Sequence, residues 1–399
     1  MPNKQKIYLD YAATTPVDPD VLKAMMPYFK EKYGNASSLH SFGQEVMAAV
    51  DLARKKVTDF LGCLTKEVIF TSGATESDNL AIRGLISSLA KKDKKPHIIT
   101  TAIEHPAVLE TCQHLEKVGV FVTYLPVTSK SLVTVESVER AIKPETALVT
   151  IMYVNNEIGT IQPIAEIGQM LKIVNQERIK KDLPKIYFHT DAVQALNYCN
   201  CDINFLGVDL LSLSGHKIYG PKGVGALYVR SGTPISPIQY GGHHEQGIRS
   251  GTLNTPGIVG LGKAIELVKK EQKKGFVKMK KLRDRLINGI KKGIARVNFN
   301  GDLEKRTPNN VNFSFYGIEG ESLMLMLDLA GISVSTASAC ASGSLKPSHV
   351  LIAMNNNPEM AHGSLRFTMG KNTTEEDIEA VLKVLPKMVK KLRKMSPFK

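Results

Sequence analysis

Val208-Asp209-Leu210-Leu211-Ser212-Leu213-Ser214-Gly215-His216-Lys217-Ile218-Tyr219-Gly220-Pro221-Lys222-Gly223-Val224-Gly225 carries the pattern on which the fold turns. Its apolar first half predicts a buried strand that delivers Ser214, His216 and Lys217 to a strand end, and the glycines at 220, 223 and 225 then let the backbone turn tightly. Open α/β sheets bind ligands at that edge. A lysine placed there is either an amine kept for Schiff-base chemistry or a side chain that snorkels outward beside Lys222. The stretch alone leaves both readings open.

Upstream, short apolar runs alternate with amphipathic segments of helical length. Strands are expected at 67–70, 97–101, 120–125, 147–154 and 186–189, and helices at 43–61, 79–90, 107–118, 135–142 and 165–175. Such alternation predicts a mostly parallel, doubly wound sheet with right-handed crossovers. Polar residues stand at the C-terminal end of each run: Ser72 to Thr75, Glu104 with His105, Asn155 with Asn156, Asp191 with Gln194, and Ser214 with His216 and Lys217. Polar ends in register predict one site along the sheet edge. The first of them, Thr71-Ser72-Gly73-Ala74-Thr75-Glu76-Ser77, lies between a strand and a helix, where free N–H groups and hydroxyls suit a phosphate. A merely well-capped helix would use the same residue types. Neither a Walker lysine nor a Gly-x-Gly-x-x-Gly pattern accompanies this turn, which disfavours an NTPase or a dinucleotide fold.

Downstream of Gly225 the stretch 239–252 is polar and glycine-rich and predicts a loop. Its His243-His244-Glu245 is no metal motif, because neighbouring residues diverge and the spacing is not i, i+4. A long amphipathic helix from about 257 leads into an α+β module with strands at 311–315, 332–335 and 365–369, a helix at 321–329 and a loop at 336–347. Thr373 and Glu376 have capping-box spacing ahead of the last helix. Residues 15–257 are expected to form a large cofactor-binding domain, with 1–14 and 258–399 forming a small domain that carries the loop with Cys340.

A chain of 399 residues with 43% hydrophobic and 23% charged residues is globular rather than disordered. The net charge of +14 is spread over lysine groups such as 269, 270, 273, 274 and 387, 390, 391, 394, which predicts solvated helix faces and no nucleic-acid interface. Five cysteines without a staple pattern, and a start lacking a signal-like apolar core, predict a reducing, cytoplasmic setting. No run of 18 apolar residues predicts a membrane span, and no cysteine or histidine set has zinc-site spacing.

A strand-end lysine, an aspartate after a strand, a phosphate cup and a histidine together make the set that pyridoxal phosphate needs: a Schiff-base amine, a partner that keeps the pyridine nitrogen protonated, and a helix N-terminus for the phosphate. The order Gly73-Ala74-Thr75, His105, Asp191, Lys217 resembles fold-type I pyridoxal-phosphate enzymes of the class V aminotransferase branch. More closely, the chain resembles the NifS/IscS-type cysteine desulfurases. The likeness runs through residues 7–16, 70–79, 154–159, 214–223 and 249–252 and ends in Ser338-Ala339-Cys340-Ala341-Ser342-Gly343, nearly the whole chain.

The resemblance implies an α/β fold with a mostly parallel seven-stranded sheet in the large domain and a smaller α+β domain. It implies conversion of L-cysteine to L-alanine, with the sulfur passing to an enzyme cysteine as a persulfide for iron–sulfur cluster assembly. Residue by residue, Lys217 would hold the cofactor and shuttle the Cα proton, His105 would stack on the ring and assist, and Asp191 would pair with the pyridinium. Gln194 and Asn156 would contact the ring, while Ala74, Thr75, Ser214 and His216 would bind the phosphate. Thr252 would reach the phosphate of the other subunit of a homodimer, Arg366 would hold the substrate carboxylate, and Cys340 would be the nucleophile. Ala337 stands where the family has glycine, and the end at Lys399 is nearer the NifS type in length. An iron–sulfur scaffold or another acceptor protein would take the sulfur. A transaminase or a selenocysteine lyase would use the same scaffold.

Overall fold

The computed structural model describes residues 6–90, 95–336, 347–355 and 357–396. In chain order its strands are β1 (Ile7–Tyr8), β2 (Val68–Thr71), β3 (His97–Thr101), β4 (Phe121–Leu125), β5 (Thr146–Thr150), β6 (Tyr187–Asp191), β7 (Leu210–Ser214), β8 (Gly225–Val229), β9 (Val297–Phe299), β10 (Asn310–Phe315), β11 (Ile332–Ser333), β12 (Ser335–Thr336) and β13 (Ser364–Thr368). A seven-stranded sheet runs β2-β8-β7-β6-β5-β3-β4. It is parallel except for β8, which runs antiparallel to both its neighbours. Strands covered on both faces read as unbroken apolar runs, as Leu210 to Leu213 does, interrupted only by the buried Ser212.

Two expectations change here. Helical structure begins at Ala74 rather than at residue 79, continuing through a wide turn over Leu80–Gly84 to Leu89. Ala74 and Thr75 therefore form the first turn of the helix instead of a loop ahead of it. Strand β8 had no separate signal, since Gly-Ala-Leu-Tyr-Val is short, unalternating and hidden behind the glycine turn. Its first residue has to be glycine: a Cβ on Gly225 would lie 2.6 Å from the Leu213 carbonyl oxygen and 2.8 Å from the Gly73 Cα. Close packing of β8 against the head of the Ala74 helix depends on that missing atom.

Strands β12-β13-β10-β9 make an antiparallel sheet, and β1 pairs in parallel with β11. The expected single strand at 332–335 is thus divided at Val334, with β11 serving one sheet and β12 the other. The helix Thr255–Gly293 is 39 residues long and belongs to both cores. Ile258, Leu261, Ala264, Ile265 and Val268 pack under the large sheet. Met279, Leu282, Leu286, Ile287 and Ile290 pack against Phe313, Phe315 and Phe367 of the second core. The last helix, Glu375–Met395, is capped by a reciprocal pair at Thr374 and Asp377, one residue beyond the expected one. Residues 373–377 contain two overlapping Thr-x-x-acid spacings, and the Thr373 hydroxyl is engaged by the Gly370 N–H at 3.0 Å.

The lysine-rich helix faces carry exposed ion pairs, Lys280–Asp284 and Lys281–Glu375 among them, each worth little on its own. No helix among the described residues is long and apolar enough to cross a membrane.

Candidate active site

Strand β7 ends at Ser214, and one tight turn over Gly215–Lys217 aims the lysine at the N-terminal segment. Lys217 Nζ donates to the Ala12 carbonyl at 2.6 Å and to the Ala13 carbonyl at 2.7 Å. Gln194 Nε2 donates to the same Ala12 oxygen at 2.9 Å, and Asn197 Nδ2 supports the turn through the Lys217 carbonyl at 2.9 Å. The amine is directed at chosen acceptors, unlike a side chain trailing into solvent.

Asp191 terminates β6 and is buried, with its Oδ1 accepting the Val193 N–H at 2.9 Å. Burial pushes its carboxyl above the ordinary range, while His105 and Lys217 pull it back down. His105 heads the helix Pro106–Lys117, its Nδ1 accepting the Ala107 N–H at 3.1 Å. Burial lowers its basicity; Asp191 raises it, and Lys217 and His349 lower it further. The imidazole is therefore neutral near pH 7, and with Nδ1 accepting, its proton sits on Nε2. Asp191, His105 and Lys217 follow the C-terminal ends of β6, β3 and β7, parallel strands of one sheet. A buried carboxylate short of positive charge is what a protonated ring nitrogen would complete.

Gly73, at φ 154°, heads the Ala74 helix, and a Cβ built on it would meet no atom within 4 Å. Open space therefore lies beside Gly73 at the head of the helix, whose first-turn N–H groups have no acceptor within the helix. Ser214 is buried at the neighbouring strand end. The His216 ring lies 3.2 Å from the Thr14 hydroxyl, and burial lowers its pKa to about 4, so it is neutral. Glu76 is drawn aside by the Ser72 N–H at 2.7 Å and by Arg249 at 2.7 Å, which keeps a carboxylate out of the cup and ties the loop with Thr252 to it. Thr252 itself is exposed. Phosphate donors, an aspartate for a pyridinium and a directed lysine are all present, so the residue set fits pyridoxal phosphate.

Across the cleft Arg366 on β13 is buried. Its Nη1 donates to the Asn156 carbonyl at 2.9 Å and its Nη2 to Asp10 Oδ1 at 2.8 Å, whereas Nε is buried with no hydrogen-bond partner among the described residues. Asp10 is not among the expected site residues, although it lies in the 7–16 stretch that carries the resemblance. Cys340 lies outside the described residues. Thr336, the last described residue before it, pairs with Leu365 beside Arg366. Cys63 is half-buried and Cys112, Cys199 and Cys201 are buried; burial pushes the thiols of Cys63, Cys112 and Cys199 up to about 12 and that of Cys201 upward too, which makes all four poor nucleophiles. In the polar loop, Glu245 is engaged by Arg54 at 2.6 and 2.9 Å and by the Phe70 N–H at 2.7 Å.

The model of the family described as Aminotransferase class-V matches residues 7–381. The chain is 50% identical to "Cysteine desulfurase IscS" of Dictyoglomus turgidum, over 99% of this chain and 98% of that protein. It is 53% identical to "Cysteine desulfurase IscS" of Clostridium botulinum, over 99% of this chain and 97% of that one. Coverage this complete means that length does not separate the NifS and IscS types here. Among solved structures, a NifS-like protein superposes with a TM-score of 0.89 at 38% identity, over 97% of this chain and 100% of that one. SspA in complex with cysteine does so with a TM-score of 0.77 at 36% identity, over 91% and 98%. The chain belongs to the class-V aminotransferase family of pyridoxal-phosphate enzymes, on its cysteine desulfurase branch.

Proposed function

We propose that the chain converts L-cysteine to L-alanine, leaving the sulfur as a persulfide on Cys340 for iron–sulfur cluster assembly. The observation that carries the reading is that Asp191 at the end of β6, Lys217 in the turn after β7 and His105 at the head of the helix after β3 stand at the C-terminal edge of one sheet. Ala74, Thr75, Ser214 and His216 hold the cofactor phosphate, Asp191 its ring nitrogen, and Gln194 and Asn156 the ring's flank. When bound, pyridoxal phosphate supplies an electron sink for charge developing at the substrate Cα.

The chain's own groups perform the rest. Arg366 takes the substrate carboxylate, its guanidinium plane set by Asp10 and Asn156. Lys217 removes the Cα proton and His105, neutral with its proton on Nε2, assists proton movement above the ring. The Cys340 thiolate then attacks the substrate sulfur; the sulfur–sulfur bond forms as the carbon–sulfur bond breaks, and the departing carbon takes up protons to become alanine.

Cys340→Ala is the direct test. Sulfide release should fall to the background of the cofactor alone while the visible absorption of bound cofactor is retained, and undiminished turnover would refute the role of Cys340.

A homodimer belongs to the same proposal, because Thr252 faces outward toward no phosphate of its own subunit in the family's arrangement. Leu39 and Phe42 are exposed large apolar side chains of the kind a second subunit would cover. Sedimentation at the single-chain mass of 43.8 kDa would remove the dimer. The sulfur acceptor, an iron–sulfur scaffold or another cytoplasmic protein, is supported by kinship with the IscS-named relatives. Alanine and sulfide yields with and without a candidate scaffold would identify it.

A further inference from the structure

Two described segments bracket Cys340, and both are tied to the substrate end of the site. Before it, β12 sets Ser335 opposite Arg366 and Thr336 opposite Leu365. After it, Ser348 Oγ donates to Glu157 Oε2 and also caps the helix His349–Ala353 by accepting the Leu351 N–H at 3.2 Å. The next residue, His349, places Nε2 3.0 Å from the Glu104 carbonyl oxygen, so that nitrogen is the donor.

Glu157 and Glu104 are both buried, at 3% and 1% exposure, and no step above uses either of them. Each adjoins a residue that has a part in those steps. Glu157 follows Asn156, whose carbonyl takes Arg366 Nη1 at 2.9 Å. The turn is held by Asn155 Oδ1, which accepts the N–H groups of Glu157 and Ile158 at 3.0 and 2.9 Å. The Glu157 carbonyl in turn accepts Asn310 and Asn312 of β10 at 3.3 and 3.1 Å. Glu104 precedes His105, and its carboxyl is anchored by the Thr101 hydroxyl at 2.6 Å and the Met152 N–H at 3.0 Å. Burial raises the Glu157 carboxyl, and His349, Ser348 and Arg366 oppose that rise. One turn thus joins the large sheet, the sheet bearing Arg366 and the helix that follows Cys340.

We propose that the Ser348–Glu157 and His349–Glu104 contacts form a clamp that sets how Cys340 meets substrate held on Arg366, with Ser348 and His349 as positioning residues. The proposal rests on Cys340 being the residue that receives sulfur. Its signature is a loss of sulfur transfer with substrate binding and the earlier proton steps intact.

The test uses the holoenzyme and L-cysteine, following the visible absorption change on mixing and, by mass spectrometry, persulfide on Cys340 in a single turnover. In Ser348→Ala, persulfide formation should slow by about tenfold or more, as misplacement of a reacting group does, while the L-cysteine concentration giving half the absorption change stays within about twofold of wild type. Ser348→Thr, which keeps the hydroxyl, should restore the rate, and persulfide formation should slow in His349→Asn too. Amide exchange over 349–353 should quicken in Ser348→Ala with or without cofactor. The clamp is overturned if persulfide forms at the wild-type rate in both variants. It is equally overturned if cofactor absorption and sulfur transfer are lost together, which would make the contacts a matter of folding only. A wild-type enzyme that gains no sulfur on Cys340 would instead sink the functional reading, and the clamp with it.

Discussion

Lys217→Ala should abolish the visible absorption of bound cofactor and lower sulfide release by at least about 10⁴-fold, because it removes a covalent anchor and a proton-transfer group at once. The fold should survive. Among the described residues its hydrogen bonds to the Ala12 and Ala13 carbonyls are lost, each worth about 0.5–1.5 kcal/mol net, and the buried strand behind the lysine is untouched. Lys217→Arg should not rescue activity, since a guanidinium stays protonated and cannot act as the nucleophilic amine. Absorption spectra and alanine yield on the purified variants check both statements. Turnover within tenfold of wild type in Lys217→Ala would remove the lysine from the centre of the chemistry.

Arg366→Lys has the second largest expected effect. Truncating one member of a buried, hydrogen-bonded charge pair costs about 2–5 kcal/mol, which is roughly 30- to 3,000-fold in kcat/KM. Two features of the site put the loss at the upper end. The guanidinium plane is already set by Asn156 and Asp10, an orientation that a single ammonium cannot reproduce. Asp10 would also keep its negative charge beside the incoming substrate carboxylate with weaker compensation. The loss should show mainly as a raised KM for L-cysteine, with the cofactor spectrum unchanged. An unchanged KM would reassign the carboxylate to another donor.

What was legible in the chain was what depends on neighbours in sequence. Strand 97–101 and the helix ending at Leu61 follow from periodicity, and the polar strand ends carrying His105, Asp191 and Lys217 follow from where each apolar run stops. The start of the helix at Ala74 escapes periodicity because its first turn, Ala-Thr-Glu-Ser, has no apolar period; its local signal is Glu76, whose carboxylate accepts the Ser72 N–H. Strand β8 escaped because five apolar residues after a glycine turn have no alternation to measure. Asp10 is different in kind. It meets Arg366 across 356 positions, and nothing near either residue announces the other. The same holds for the acceptors of Lys217, which lie more than 200 positions away. Local patterns show which side chains reach the sheet edge, whereas the partners that orient them come from the fold.

The pairing of Ile7 with Ile332 carries a consequence for synthesis. A chain emerging from the ribosome has its first strand long before the partner of that strand exists, and the large core also waits for Ile258 to Val268 on the long shared helix. The Ala12 and Ala13 carbonyls can meet Gln194 and Lys217 midway through synthesis, but β1 and Asp10 must wait for Ile332 and Arg366, when translation is nearly complete. Long-range closures of this kind are slow and leave apolar surface uncovered in the meantime. Since those same early residues orient Arg366 and receive Lys217, the site should be among the last regions to take its final shape. Nascent chains halted before residue 332 should bind no cofactor.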